Sequence, residues 1–286
     1  MVSSRFSNTT SMIEAVKNDK VKDMDLSMFS KDSVRTALID ADSMLYYCLK
    51  PDMTFDDVTA SFDDFMFSIM RNTGASCYLG FFSESPVFRH AIGVSKPYKG
   101  NRNGRDTPLL FYSLKKYAYR AWGIHFVSGL EADDCVSLYR TADTVICSPD
   151  KDVLRQLPGT HYNYQRNEYV HTSEKEAFEF LWSQVVAGDS VDGIPGIPGI
   201  GAKKAELAVA SVVTEQLPLK ILQMYMQHFS STGNAKEAYD RFKEALDLVY
   251  VLRTRYDTDR LGIELPDLRP VNILTALDLW KKSPGT

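Results

Sequence analysis

Cysteine is scarce in this sequence and never paired. Its four cysteines, Cys48, Cys77, Cys135 and Cys147, include no Cys-x-x-Cys spacing, which argues against a zinc site. Three lie in apolar runs, where a free thiol packs as a small hydrophobe, and a reduced, intracellular protein is the simplest expectation. No apolar run reaches membrane-span length, and Met-Val-Ser-Ser-Arg-Phe-Ser-Asn-Thr-Thr at the start lacks the apolar stretch of a signal peptide. The five histidines (His90, His125, His161, His171, His228) are scattered, with no Ser/His/Asp arrangement among them; His125 reads as a packed strand residue. Charge of one sign is also missing: 33 basic against 37 acidic residues give −4, so the total points to no nucleic-acid partner. Solenoid repeats and low-complexity tracts are absent.

What is present suits an ordinary globular protein. The chain has 286 residues, 44% of them hydrophobic and 24% charged, enough for a sizeable core. Residues 1–33 are polar with an amphipathic stretch from Met12 to Phe29, an N-terminal extension with one helix. Strands are expected at Arg35–Ile39, Ser76–Phe82, Gly123–Val127 and Thr144–Cys147, and helices over 54–72 and Glu131–Tyr139. That alternation implies a doubly wound, mainly parallel sheet in an α/β core over 34–173. His161–Gln165 and Tyr169–Thr172 flank Arg166-Asn167 as a hairpin. From about Ser173 the pattern turns helical, at 174–187, 202–211, 217–229 and 235–252, which makes 174–286 a helical region.

Acidic residues recur where such a fold presents them. Asp40 follows the first strand, Glu84 the second, and Asp150 and Asp152 the fourth, while Glu131, Asp133 and Asp134 open the helix after the third. Ligands of open parallel sheets bind at these carboxyl ends. Asp189 and Asp192 add a further cluster in Ala-Gly-Asp-Ser-Val-Asp-Gly. Taken singly, each has a plainer reading: an Asp at a helix start is usually a cap, and an Asp after a strand is often a turn residue. Asp42 reads as such a cap and is left out of the group. All clusters being caps is the less economical account. Carboxylates sharing one cleft raise each other's pKa, and a hard cation such as Mg²⁺ would relieve that.

Two further stretches concern phosphates. In Gly-Ile-Pro-Gly-Ile-Pro-Gly-Ile-Gly-Ala-Lys-Lys at 193–204, glycines permit close backbone approach. Gly199, Gly201, Lys203 and Lys204 sit where a helix opens with free N–H groups. This is the pattern of a helix–hairpin–helix element; the plain alternative is a tight structural turn. Between Lys96 and Arg120 seven cations stand against one acid, interleaved with Tyr98, Phe111, Tyr112, Tyr117 and Tyr119, a composition that can track phosphates and stack on bases. Much of it, Lys115 and Lys116 included, also reads as solvated surface. Tyr-Lys-Gly-Asn-Arg at 98–102 differs, because a Lys or Arg beside the acids could stabilise transition-state charge.

Leu-Ile-Asp-Ala-Asp, Tyr-Lys-Gly-Asn-Arg, Gly-Leu-Glu-Ala-Asp-Asp, Ser-Pro-Asp-Lys-Asp and Gly-Asp-Ser-Val-Asp-Gly-Ile-Pro-Gly-Ile-Pro-Gly-Ile-Gly-Ala-Lys, in this order over Val34–Lys204, together resemble the 5′-nuclease (flap endonuclease) superfamily, in particular its bacteriophage 5′–3′ exonucleases. The resemblance implies a PIN-like core, two Mg²⁺ (or Mn²⁺) ions, and hydrolysis of phosphodiesters near a 5′ end. It assigns Asp40, Glu131, Asp133, Asp150, Asp152 and Asp192 to the metals, with Asp134 and Asp189 acting through water. Lys99 takes the place of the family's catalytic lysine, Arg102 that of its companion, and Gly199–Lys203 that of the hairpin that binds duplex backbone; from the residues themselves, Tyr98, Gly199, Gly201, Lys203 and Lys204 are read as nucleic-acid contacts. The hairpin of the family often also holds a K⁺ ion. Glu84 stands where the family usually has Asp. Only residues 103–128 separate the Lys/Arg motif from Glu-Ala-Asp-Asp, short for a threading arch, which favours exonucleolytic action on duplex 5′ ends.

The expectation is therefore a monomeric 5′ nuclease acting on DNA, with RNA–DNA hybrids as a further substrate and a host cytoplasm as its place if phage-encoded. Two rivals stand beside it: a non-catalytic nucleic-acid-binding protein with a structural metal, and a metal-dependent phosphatase of small substrates, which would not need the hairpin.

Overall fold

The computed structural model describes residues 35–102, 106–229 and 235–273. The N-terminal extension expected over 1–33 lies outside them. The backbone of the fold is a seven-stranded sheet, six of whose strands follow the order β3-β2-β1-β4-β5-β6, with a short seventh paired to β2. The strands are β1 (Thr36–Asp40), β2 (Cys77–Phe82), β3 (His125–Phe126), β4 (Thr144–Cys147), β5 (Gly159–Asn163) and β6 (Glu168–Thr172). The pairs β1–β2, β1–β4, β2–β3 and β4–β5 are parallel, and β5–β6 is the expected antiparallel hairpin. β1 is buried along its whole length, as a central strand covered on both faces must be.

One layer of helices carries α1 (Asp42–Cys48), α2 (Phe55–Thr73) and α4 (Phe111–Trp122). Val58, Phe62, Met66 and Met70 of α2 meet Leu114, Ala118 and Trp122 of α4 in this layer's core. The spacing of those apolar residues is the helical repeat that marked α2 in the sequence. Thr54 caps α2 through a capping box with Asp57, and Gly74 ends it in the left-handed region. The opposite layer holds α5 (Ala132–Leu138) and α6 (Lys151–Gln156), whose Cys135, Val136 and Val153 pack on Leu38 and Ile146.

Beyond the sheet lie α3 (Arg89–Ile92), α7 (Glu174–Ala187), α8 (Ala202–Ala210), α9 (Leu217–Phe229), α10 (Ala235–Val249) and α11 (Arg255–Leu261). α3, α7, α8, α9 and α10 gather round a separate core of Trp182, Val185, Ile221, Tyr225 and Phe242, while Leu261 of α11 packs against the core under α5 and α6. Two strand pairings in this half carried no pattern in the sequence. β7 (Gly188–Asp189) and β8 (Ile194–Pro195) form a two-stranded hairpin, and β9 (Val271–Asn272) returns to pair antiparallel with β2. The helical region is thus tied back into the sheet rather than hung from its end. All four cysteines are free thiols, and among the described residues no helix is long and apolar enough to cross a membrane.

Between Asp106 and Ser128 the chain supplies one helix, α4, and the short β3. α4 packs down on α1 and α2, so among the described residues this stretch holds no second, free-standing helix.

Candidate active site at the carboxyl ends of the strands

β1 and β4 lie side by side and end together, which brings Asp40 and Asp150 to one place. Ser148 joins them: its hydroxyl donates to Asp40 Oδ2 at 2.8 Å, and its oxygen accepts from the Asp150 N–H at 3.0 Å. Asp150 caps α6 by accepting from Asp152 N–H at 2.7 Å. The cap reading of Asp150 is therefore true as well, and it does not remove the carboxylate from the group. Asp152 accepts from the Gln184 amide at 2.6 Å, and Asp189 accepts from Lys151 Nζ at 2.7 Å and Val191 N–H at 2.7 Å.

Electrostatics shows that these acids face one another. Burial, and then Asp42 and Asp150 nearby, push Asp40 up to about 7. Burial and then Asp150 push Asp152 up to about 7. Asp133 is driven well above the usual carboxylate range by burial, Asp150, Asp40 and Glu131, and Asp150 is raised by burial and by Asp192. Each of these groups resists ionisation because its neighbours are anions out of water.

Cations line the other wall. Lys99, at φ +54 in the left-handed region, donates its backbone N–H to Asp192 O at 2.8 Å. Its Nζ lies 2.5 Å from Glu131 Oε1 and 3.7 Å from Asp192 Oδ2. Arg102, in the 3₁₀ turn Gly100–Arg102, pairs with Asp192 Oδ1. Burial works against ionising Glu131, but Arg89 and Lys99 beside it hold its carboxyl down to about 2.

Five residues sit otherwise than the sequence suggested. Glu84 is exposed just past β2, and among the described residues it makes no hydrogen bond or ion pair. The chain turns at Ser83, and the place expected for Glu84 is taken by Asp42, whose two carboxylate oxygens each accept from Ser83 N–H at 3.2 Å. Asp42 is thus not a cap of α1 but a member of the acidic group: burial raises it, and Ser83, Lys115 and Lys99 partly offset that. Asp134 turns away from the group into a fully buried fork, accepting from Arg89 Nη1 at 2.6 Å and Nη2 at 2.9 Å. Tyr98 offers no face to a base: it is 5% exposed, and its hydroxyl donates to Glu131 Oε2 at 2.8 Å. Lys115, read as solvated surface, instead reaches inward to Ser83 O at 3.2 Å over the rings of Phe82 and Phe126.

The donor set is one of hard carboxylate oxygens without sulfur or imidazole, the set that suits Mg²⁺ or Mn²⁺. It also lacks enough cations to neutralise Asp40, Asp133, Asp150 and Asp152. A divalent ion therefore fits these residues. Among the described residues no three of them already stand as a closed ligand cage; Glu131, Asp189 and Asp192 are turned toward Lys99, Lys151 and Arg102.

The glycine-rich segment leads from α7 into α8. At Gly188 a Cβ would lie 2.3 Å from Ile194 O, and at Gly196 2.3 Å from the Ala187 carbonyl carbon, so only glycine lets the hairpin close. Gly199 has φ +80, and Gly201 stands open as the N-cap of α8. Lys203 and Lys204 are exposed, with Lys204 Nζ donating to Gly199 O at 3.2 Å. Asn101 donates to the Ser190 and Val191 carbonyls at 3.0 Å each, which ties the lysine-bearing loop to the hairpin.

No family model and no curated protein matches the chain. Solved structures do. The bacteriophage T5 D15 protein co-crystallised with metal ions superposes with a TM-score of 0.61 at 17% identity, over 87% of this chain and 97% of that one. T5 5′-exonuclease with bound zinc ions gives 0.56 at 20% identity, over 87% and 97% of the two chains. T5 flap endonuclease in a complex with DNA and metal ions gives 0.55 at 18% identity, over the same shares. At such identities the likeness establishes the architecture: this chain has the mixed α/β fold of the phage T5 5′-exonucleases.

Proposed function

We propose that the protein is a divalent-metal-dependent 5′ nuclease that hydrolyses phosphodiesters near the 5′ ends of duplex DNA, by a 5′–3′ exonucleolytic action. One observation carries this: acids from four separate chain segments meet beside Lys99 and Arg102, on a fold whose solved relatives include nucleases with DNA and metal ions. Asp40, Asp42, Glu131, Asp133, Asp150, Asp152, Asp189 and Asp192 would hold two Mg²⁺ or Mn²⁺ ions, directly or through water. Bound ions of this kind activate water and neutralise charge on the leaving oxygen.

The protein's own groups do the rest. Lys99 and Arg102 bring two fixed positive charges to the acids' edge, where a phosphate would enter. Glu131 holds Lys99 in place while Arg89 and Tyr98 hold Glu131. The open N-terminus of α8, with Lys203 and Lys204 exposed beside it, suits the duplex backbone and reads no bases. The K⁺ expected at this hairpin belongs to the same reading. A single packed helix between Asp106 and Ser128 supports action on duplex ends rather than threading of a long flap. RNA–DNA hybrids are carried as a further substrate of the same backbone-directed grip.

The test is incubation with Mg²⁺ and a 5′-labelled duplex, a flap and an RNA–DNA hybrid, with EDTA as control. Short labelled products from the duplex, lost in EDTA, support the reading. Duplex binding without cleavage would move the protein to the non-catalytic class, and cleavage of small phosphate esters alone would make it a phosphatase.

A further inference from the structure

The joint between α10 and α11 makes an unusual set of contacts. Leu248 O accepts from Arg89 Nε at 3.0 Å, Tyr250 O accepts from Arg89 Nη2 at 2.7 Å, and Leu252 N–H donates to Asp134 Oδ1 at 3.1 Å. The two residues between them serve another side chain: Val249 O accepts from Gln156 Nε2 at 2.7 Å, and Val251 N–H donates to Gln156 Oε1 at 3.2 Å. Even-numbered residues of this pentapeptide thus belong to the Arg89 cluster and odd-numbered ones to Gln156.

Both systems end on an acid of the candidate site. Arg89 Nη1 reaches Glu131 Oε2 at 2.9 Å. Gln156 Nε2 also donates to Gln184 Oε1 at 2.7 Å, and Gln184 Nε2 donates to Asp152 Oδ1 at 2.6 Å. The orientation of each amide follows from the one before it. Val251 N–H and Val249 O can be satisfied together only if Gln156 presents its oxygen to the first and its nitrogen to the second. That leaves a donor for Gln184 Oε1, and so a donor from Gln184 for Asp152. Gln156 is fully buried, and Gln184 and Arg89 nearly so. Three polar side chains in this position are costly unless every partner is made, and here they are aimed at the two flanks of the acidic group.

We infer that Arg89, Gln156 and Gln184 are positioning residues, and that the Leu248–Leu252 segment is a shared anchor through which Glu131 and Asp152 are both braced for the metal ions. This rests on the metal-dependent function proposed above. α10, which carries the anchor at its end, also packs against the β7–β8 hairpin. The helical half of the molecule therefore sets the spacing of the acids across the site. Outer partners of metal ligands elsewhere change affinity or activity by about 10–100-fold when removed.

The experiment is a Mn²⁺ titration followed by electron paramagnetic resonance on full-length Gln184→Leu, Gln156→Met and Arg89→Lys, with kcat and KM on the labelled duplex and a thermal midpoint for each. Gln184→Leu should raise the half-saturating Mn²⁺ concentration by about tenfold or more. Gln156→Met, which touches no acid of the site, should move it in the same direction, with kcat falling and KM for DNA nearly unchanged. A lowered melting midpoint with wild-type Mn²⁺ binding would reduce these residues to packing and overturn the inference. Should Gln156→Met not fold, Gln184→Leu and Arg89→Lys decide by the same criterion. A wild-type protein that binds no Mn²⁺ defeats the proposed function itself, whereas tight wild-type binding with unaffected variants defeats only the anchor.

Discussion

The Lys99 ammonium lies 2.5 Å from Glu131 Oε1 and 3.7 Å from Asp192 Oδ2, at the edge of the acidic group. Its left-handed backbone and the N–H bond to Asp192 O fix where the side chain starts. Such a charge is preorganised, and it needs little rearrangement to meet a phosphate. Lys99→Ala should slow single-turnover cleavage by about 10²–10³-fold. A wild-type rate under those conditions would show that Lys99 only balances Glu131.

Asp42 and Glu84 make a paired prediction, because the structure gives Asp42 the place that the sequence suggested for Glu84. Asp42→Asn should reduce cleavage by about 10–100-fold, while Glu84→Gln should stay close to wild type. Parallel Mg²⁺ titrations of both variants check this. The reverse ranking would mean that the turn after β2 is re-formed when substrate binds.

Much of this arrangement was legible in the chain. The strand ending in Asp40, and the one ending at Cys147 just before Asp150, could be read because a buried strand shows as an apolar run that stops shortly before or at an acid. Helix α2 could be read from Val58, Phe62, Met66 and Ile69 at helical spacing, and α7 from the turn to a helical pattern after Ser173. What stayed hidden depends on partners far along the chain. Arg89 is one cation in a four-residue helix, and its acceptors lie between 42 and 161 residues away. Gln156 and Gln184 are neutral and sit in ordinary helices, so no pattern marks them. Tyr98 looked available for stacking because composition does not tell which end of a tyrosine is buried. β7, β8 and β9, at two residues each, are too short to carry a period of two.

A buried acid outside the site gives a pH test. Asp63 on α2 accepts from Trp122 Nε1 at 2.7 Å and from Tyr117 OH at 2.8 Å, and burial pushes it up to about 7 despite those donors. Folded protein then keeps a proton at this site that the unfolded chain, with a carboxyl near its ordinary value, has lost. The resulting stabilisation is complete below pH ~4, falls as the pH rises through about 7, and amounts to a few kcal/mol. Wild type should therefore gain stability relative to Asp63→Asn as pH falls from about 8 to about 5 in urea unfolding. Parallel pH profiles would show that Asp63 is ionised throughout.

Lys203→Ala with Lys204→Ala removes the two exposed charges at the start of α8. Duplex binding measured in Ca²⁺ should weaken, and the slope of log K against log salt should become shallower by about one to two units. An unaltered slope would place the duplex on another face.

The most direct test of the central claim is Asp150→Asn, assayed for Mg²⁺-dependent release of 5′-labelled product from duplex DNA beside a circular-dichroism melt of the same preparation. Asn at this position can still accept from the Asp152 N–H and cap α6, but it withdraws one anion from the group. Asp150→Asn should fold and lose cleavage; full Mg²⁺-dependent cleavage by that folded variant would rule out the metal-holding role of the acidic group.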